Sequence, residues 1–282
     1  MAVKTFAVVF SIIAYTSKLR RVARVFDHSM GWSLTASGLS TRPVYASAMS
    51  RASLDKDPHE VAAMFDDVAS GYDRANSFMT FGFDRRWRNT TARVLDAKRG
   101  EKVLDLAAGT GVSTVEYTRN GAWCLAADFS FGMLKAGKHR KVPMVAADAL
   151  NLPFADASFD VATITLGIRN FVDTKAALAE IARVVRPGGR LVICEVSTPT
   201  FAPLRFVYRK FMLRAMTWVG RRFSSNPEAY AYLAESMLEW PAQRQFAEII
   251  ESAGWSDVEW MNLTFGVVAV HRAKKPDVDS ES

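Results

Sequence analysis

Three aspartates sit at or near the ends of apolar runs in the middle third of this chain: Asp105 in "KVLDLAA", Asp128 closing "AWCLAAD" and Asp148 closing "VPMVAAD". Behind the first lies a turn, Gly109-Thr110-Gly111, that opens into a helix-like stretch, an arrangement that holds a nucleotide-like ligand at strand ends. A dinucleotide turn needs G-x-G-x-x-G, and here Val112, Ser113 and Thr114 follow without a third glycine. A triphosphate loop needs G-x-x-x-x-G-K-[ST], and no lysine follows. An acid in the strand before the turn repels pyrophosphate and suits a cation, either an ammonium or a sulfonium. Asp128 stands where an acid accepts hydrogen bonds from ribose hydroxyls, and Asp148 is placed to take an adenine amino group. One such aspartate could merely cap a turn; the three together favour S-adenosylmethionine as the ligand. No metal is called for.

The elements that must position these residues alternate regularly. "KVLDLAA", "AWCLAAD", "VPMVAAD", "FDVATITL" and "RLVICEV" read as strands separated by helices over Gly111 to about Arg119, "SFGMLKAG" and "KAALAEIARVV". A last helix, "QRQFAEIIESAG", leads to "WSDVEWMN" and "FGVVAVHRA", joined closely enough to be antiparallel. The fold expected is α/β: a doubly wound, mostly parallel seven-stranded sheet, Rossmann-like, with an antiparallel strand at its C-terminal end. Before it, "DPHE" offers Asp57 as N-cap and Pro58 at the first helical position, and Val61, Met64, Phe65 and Val68 follow at helical spacing. With the second stretch "DRRWRNTTARVLDA", cap helices are expected over 57–100.

The chain has 282 residues and a formal net charge of +7, unevenly spread. Residues 1–48 carry Lys4, Lys18, Arg20, Arg21, Arg24 and Arg42 against Asp27, which leaves the remainder nearly neutral and gives no argument for nucleic-acid binding. The apolar run "TFAVVFSIIAY" in that segment is eleven residues, too short to span a bilayer as a helix. The segment resembles a transit peptide or an interfacial anchor less than an extension ahead of a translation start at Met49, with no fold of its own. Cys124 and Cys194 lie in apolar strands, too few and too buried for a disulfide framework or a zinc site, so a reducing, cytoplasmic location is expected.

Residues 49–275 resemble the ubiquinone/menaquinone biosynthesis C-methyltransferases, and within them most closely the bacterial demethylmenaquinone methyltransferases. "YDRANSFMTFGFDRRW" is similar to the family's N-terminal signature and "RVVRPGGRLVICEVS" to its C-terminal one; "GIRN" (167–170) and "SSNPEAYAYLAES" (224–236) are further family-like stretches. Ala75 departs from the usual Met and puts packing at the substrate mouth in question. The resemblance implies cofactor contacts at Gly109 and Thr110 in the turn, Asp128, Asp148 with Ala149, and Thr165. It implies C-methylation of demethylmenaquinol to menaquinol, the final step of menaquinone synthesis. The same chemistry on a benzoquinol of the ubiquinone pathway is the nearest alternative, and an inactive cofactor-binding scaffold is a more distant one.

The missing elements agree with this. No N-P-P-Y-like element follows the fourth strand, as base amino methylation would require, and neither cysteine lies in a loop suited to a nucleophile. A hydroquinone activates its own ring carbon once a hydroxyl is deprotonated, so alignment and proton removal remain for the protein. Arg169, Asn170 and Tyr72 are the expected catalytic residues, with Asn76 behind them. An arginine stays protonated, so Arg169 is expected to act on a phenolate or through water. "FAPLRFVYRKFMLRAMTWVGRRF" (201–223) interleaves aromatic and basic residues and is expected to form a lid, within an insertion over about 200–240, that makes peripheral contact with membrane lipid on the cytoplasmic face. A homodimer is compatible with this reading.

Overall fold

The computed structural model describes residues 56–210 and 227–277. The expectations for residues 1–48, the start at Met49 and the second half of the 201–223 segment therefore lie outside the described residues.

Helix α1 (Pro58–Val68) begins as its sequence demands: Asp57 Oδ1 accepts from the backbone N–H groups of His59 (2.8 Å) and Glu60 (3.2 Å), and proline occupies the first turn, where it forfeits no intrahelical bond. Helices α2 (Tyr72–Met79) and α3 (Phe83–Leu95) complete the cap. The sheet then forms from β1 (Lys102–Leu106), β2 (Trp123–Asp128), β3 (Met144–Ala146), β4 (Phe159–Thr165) and β5 (Val185–Val196), with helices α4 (Val112–Tyr117), α5 (Phe131–Gly137) and α6 (Thr174–Val184) in the crossovers. A helix α7 over 202–210 follows, then α8 (Pro227–Glu239), α9 (Gln243–Ser252), β6 (Ser256–Leu263) and β7 (Val268–Lys274).

The strand order is β3-β2-β1-β4-β5-β7-β6. All neighbours from β3 to β5 are parallel, and β7 inserts antiparallel between β5 and β6. The order reverses at β1, whose neighbours β2 and β4 carry the chain away in opposite directions, and ligands in such sheets bind outside the carboxyl ends at that point. Central strands covered on both faces become unbroken apolar runs; accordingly Val103, Leu104, Val161, Ala162 and Ile193 are wholly buried.

Two expected boundaries shift. β5 starts at Val185, five residues early, because the Pro187-Gly188-Gly189 stretch stays paired: Gly188 N–H donates to Lys275 and Lys275 N–H to Gly189, while on the other edge Val185 pairs with Phe159 ahead of a register shift between Phe159 and Val161. β3 stops at Ala146, so Asp148 lies in the following turn rather than in the strand. A second, smaller core joins Val61, Met64 and Val68 of α1 to Ala229, Tyr232 and Leu233 of α8. Helix α8 is thereby fixed to the cap. Ala75 packs against this small core and does not line the pocket described below, so the missing Met bears on cap packing rather than on the pocket wall.

Candidate active site

β1 gives way to a turn that its neighbours hold from three sides. Ala107 leaves the strand with a left-handed φ of 49°, costing about 1–2 kcal/mol for a residue with a Cβ, and Gly111 takes φ 73° where α4 begins. The amide of Gly109 donates to Asp128 Oδ2 at 2.7 Å, and the other oxygen of that carboxylate accepts from Ser130 N–H at 2.8 Å. One carboxylate at the end of β2 thus ties the turn to the start of α5. Helix α5 lies so close behind that a Cβ on Gly137 would overlap the Thr110 carbonyl, so only glycine fits there.

The cap closes the third side. The Thr110 hydroxyl donates to Asp73 on α2 at 2.9 Å, and Arg140 bridges the same carboxylate (2.7 Å) and the Thr110 carbonyl (3.1 Å). Asp66 on α1 accepts from the Gly132 amide at 2.8 Å and from the Ser130 hydroxyl, which places a carboxylate at the positive end of α5.

After β3, Asp148 turns the chain by accepting from Leu150 N–H at 2.9 Å, and its backbone pairs with Asn151. At the end of β4 the Thr165 hydroxyl and the Tyr117 phenol share a hydrogen bond of 2.8 Å. Leu166 then takes φ 60°, and Gly167 leads into a single helical turn, Ile168–Asn170. Backbone strain thus occurs at the ends of both β1 and β4, beside the switch point, where such strain commonly shapes sites.

These elements enclose a pocket of about 1060 Å³, counting its open mouth. Gly109, Thr110, Asp128, Asp148, Ala149 and Thr165 line it, together with Tyr72, Asn76, Asn170 and Phe171. Asn170 Oδ1 accepts from Tyr232 on α8 at 3.4 Å, linking the pocket wall to that helix.

Two residues that the sequence directs to the ligand lie elsewhere. Asp105 is fully buried beneath the turn, with Oδ2 accepting from Thr114 at 2.6 Å and Oδ1 unpartnered, and it does not line the pocket. Arg169 is buried too, off the pocket wall, donating to Glu195 at 2.7 Å and to the Leu166 carbonyl at 2.9 Å. Burial works against its charge, but the Glu195 carboxylate outweighs this and holds the guanidinium above its ordinary range, with Tyr72 and Tyr232 near enough to contribute. Glu195 was detectable as an acid inside the apolar run "RLVICEV", where an unpaired carboxylate is untenable. Asp73 and Arg140 carried no local signal.

Burial pushes the Asp128 carboxyl up to about 6, against the hydrogen bonds it accepts from Ser130 and Gly109. It pushes Asp105 up to about 7, against the Thr114 bond and the Arg88 charge. In the unfolded chain an aspartate titrates near ~4, so the folded protein holds the Asp105 proton more tightly. The stability this contributes is complete below about pH 4 and is lost as pH rises through about 7. Asp105→Asn should therefore match the wild type near pH ~4 and become the more stable protein by pH ~8, by on the order of 4 kcal/mol. Thermal melts across that range check this; two curves parallel at every pH would contradict it. Burial also raises both cysteine thiols to about 12, which leaves neither as a nucleophile.

Comparison with known proteins places the chain in a family and a fold. The profile of the ubiE/COQ5 methyltransferase family matches residues 53–275. The chain is 58% identical over 228 residues to the demethylmenaquinone methyltransferase of Corynebacterium efficiens, covering 81% of this chain and 99% of that one. Its counterpart from Mycolicibacterium gilvum is also 58% identical over 228 residues, covering 81% and 100%. Among solved structures, an SAM-dependent methyltransferase from Thermotoga maritima matches with a TM-score of 0.58 at 19% identity, over 76% of this chain and 99% of that chain. At that identity the shared content is the fold, that of the class I S-adenosylmethionine-dependent methyltransferases.

Proposed function

The chain belongs to the ubiE/COQ5 methyltransferase family, and from that premise we propose that it is the enzyme that methylates a ring carbon of demethylmenaquinol, using S-adenosylmethionine, in the final step of menaquinone synthesis. The observation that carries this reading is the 58% identity to a demethylmenaquinone methyltransferase over 99% of that protein's length. S-Adenosylmethionine supplies an electrophilic methyl group when bound. The residues present suit it: Asp128 for the ribose, Asp148 and Ala149 for the adenine, Gly109 and Thr110 for close approach of the backbone, and Thr165 with a hydroxyl at the end of β4.

The remaining wall receives the quinol. Asn170 is held by Tyr232 and offers its amide to a ring hydroxyl, and Tyr72 and Asn76 line the same pocket from α2. Arg169 acts from behind as a positioning residue: its bonds to Leu166 and Glu195 fix the turn that presents Asn170. Its charge also favours a phenolate on a ring held at Asn170. The apolar Phe65, Phe171 and Val172 on the pocket wall exclude bulk water, which strengthens every such interaction. Incubation with labelled S-adenosylmethionine and either demethylated naphthoquinol or demethylated benzoquinol tests the substrate. Label in the naphthoquinol is expected; label only in the benzoquinol supports the ubiquinone-pathway alternative, and label in neither supports the scaffold.

A prenylated quinol resides in lipid, and the surface beside the pocket suits peripheral attachment. Phe201 and Phe206 are exposed, next to exposed Arg205, Arg209 and Lys210. Among the described residues no helix is long and apolar enough to cross a membrane. Basic and aromatic residues on one helix rest instead on an anionic surface, each basic group contributing ~1 kcal/mol. Glu at Arg209, Lys210 and Arg214 should therefore abolish co-flotation with anionic vesicles; equal flotation of wild type and variant removes the membrane proposal.

A further inference from the structure

Resting on the S-adenosylmethionine reading above, we infer that Arg88 anchors the α-carboxylate of the cofactor's amino-acid half. Arg88 is buried in α3, yet it lines the pocket beside the glycine turn. Its charge is incompletely used. One terminal nitrogen donates to Ser113 Oγ at 2.8 Å, while Nε lies 3.8 Å from Asp84 Oδ2, beyond hydrogen-bond reach, and is buried without a partner. Asp84 is already engaged by the Thr80 hydroxyl at 2.9 Å and the Ser77 hydroxyl at 3.1 Å. Nε is sealed beside Asp84, so the donor left for the pocket is the second terminal nitrogen, which makes no hydrogen bond among the described residues; a largely buried guanidinium with a donor unused is costly unless something completes it.

The chemistry of the wall indicates what completes it. The other charged side chains lining the pocket are Asp73, Asp128 and Asp148, all acids, so among the described residues Arg88 is the cation of the wall. S-Adenosylmethionine carries two positive groups and one negative. Its sulfonium and ammonium are drawn toward the acids, and its carboxylate is repelled by them and drawn to the guanidinium. The planar fork of an arginine suits a carboxylate better than any other anchor of that charge. Ser113, held by Arg88, fixes the fork in place from the first turn of α4.

The test compares three ligands by calorimetry: S-adenosylmethionine, its decarboxylated form, and 5′-methylthioadenosine, which lacks the amino-acid half. The wild type should prefer the carboxylated ligand by about 30-fold, the share of one charge-assisted pairing. Arg88→Gln should bring the two within about threefold of each other while leaving 5′-methylthioadenosine binding unchanged, and Arg88→Lys should fall between. A wild type that binds both forms equally would overturn the assignment, and needs no variant. So would an Arg88→Gln protein that keeps the preference, or one that loses 5′-methylthioadenosine to the same degree, since Arg88 would then support the pocket without touching the carboxylate. A wild type that binds none of the three would overturn the cofactor reading together with the inference built on it.

Discussion

Asp128→Ala should weaken S-adenosylmethionine binding by at least ~100-fold, because the substitution removes two functions of one carboxylate. Each hydrogen bond from a ligand hydroxyl to a charged acceptor contributes about 1.5–3 kcal/mol, and the ribose offers two hydroxyls. The same oxygens hold the Gly109 amide at 2.7 Å and the Ser130 amide at 2.8 Å. Without them the turn of β1 and the start of α5 come apart at the pocket wall. Asp128→Asn keeps the shape and one acceptor oxygen and should lose less. The pH dependence has a definite sign. The carboxyl titrates at about 6 in the folded protein, raised by burial, and both oxygens can accept only once the proton is gone. Affinity should therefore fall as pH drops through about 6. Calorimetric titrations on both sides of that value check this, and a flat profile would remove Asp128 from the ribose.

The second large effect concerns the ion pair behind the pocket. Arg169 and Glu195 are both buried and meet at 2.7 Å, and Glu195 Oε1 also accepts from Val196 N–H at 2.8 Å. Removing one partner of such a pair leaves an uncompensated buried charge and costs about 3–5 kcal/mol, whereas replacing both by apolar groups is often neutral. Glu195→Ala should lower stability by that amount, and the double substitution Glu195→Leu with Arg169→Met should recover most of it. Turnover should not recover. The turn carrying Asn170 would have lost its anchor to the guanidinium, and misplacement by about 1 Å suffices for a 100-fold loss in rate. Cofactor affinity should stay within about twofold of wild type in the folded double variant, since Arg169 does not itself line the pocket and meets its wall only at the Leu166 carbonyl. Chemical denaturation, calorimetry and turnover on the three proteins separate these effects. A double variant that is stable and methylates at the normal rate would remove the positioning role from Arg169.

Much of this arrangement was legible from local patterns. The helix cap at Asp57 and Pro58, the alternation of strands and helices, and the turn after β1 each depend on neighbours within a few positions, and each lies where the pattern puts it. Asp128 was legible because the end of a strand beside a switch point is itself a site. Asp105 was not. Its strand was evident, but whether a carboxylate just before a turn faces the pocket or the helix above is decided by Thr114, which takes it at 2.6 Å. Arg169 and Asn170 are neighbours in sequence and part at the short turn Ile168–Asn170, one toward Glu195 and the other onto the pocket wall. That division depends on a strand well removed in sequence, as does the bridging of Asp73, Thr110 and Arg140 across three separate elements. Long-range polar pairings of this kind leave no periodicity to read. Arg88 belongs with them: within "DRRWRNTTARVLDA" it is one of several arginines, and only burial beside the cofactor turn sets it apart.

One pocket is lined by both the glycine turn and Asn170, the arrangement that would bring a methyl group to a ring carbon of a quinol. The most direct measurement is mass spectrometry with fragmentation of the product formed from methyl-labelled S-adenosylmethionine and demethylated naphthoquinone, supplied either reduced or oxidised. Label on the ring carbon, from the reduced substrate alone, is the result expected. Label on oxygen as a methyl ether, or equal labelling of the oxidised quinone, which has no hydroxyl to activate the ring, would contradict the account.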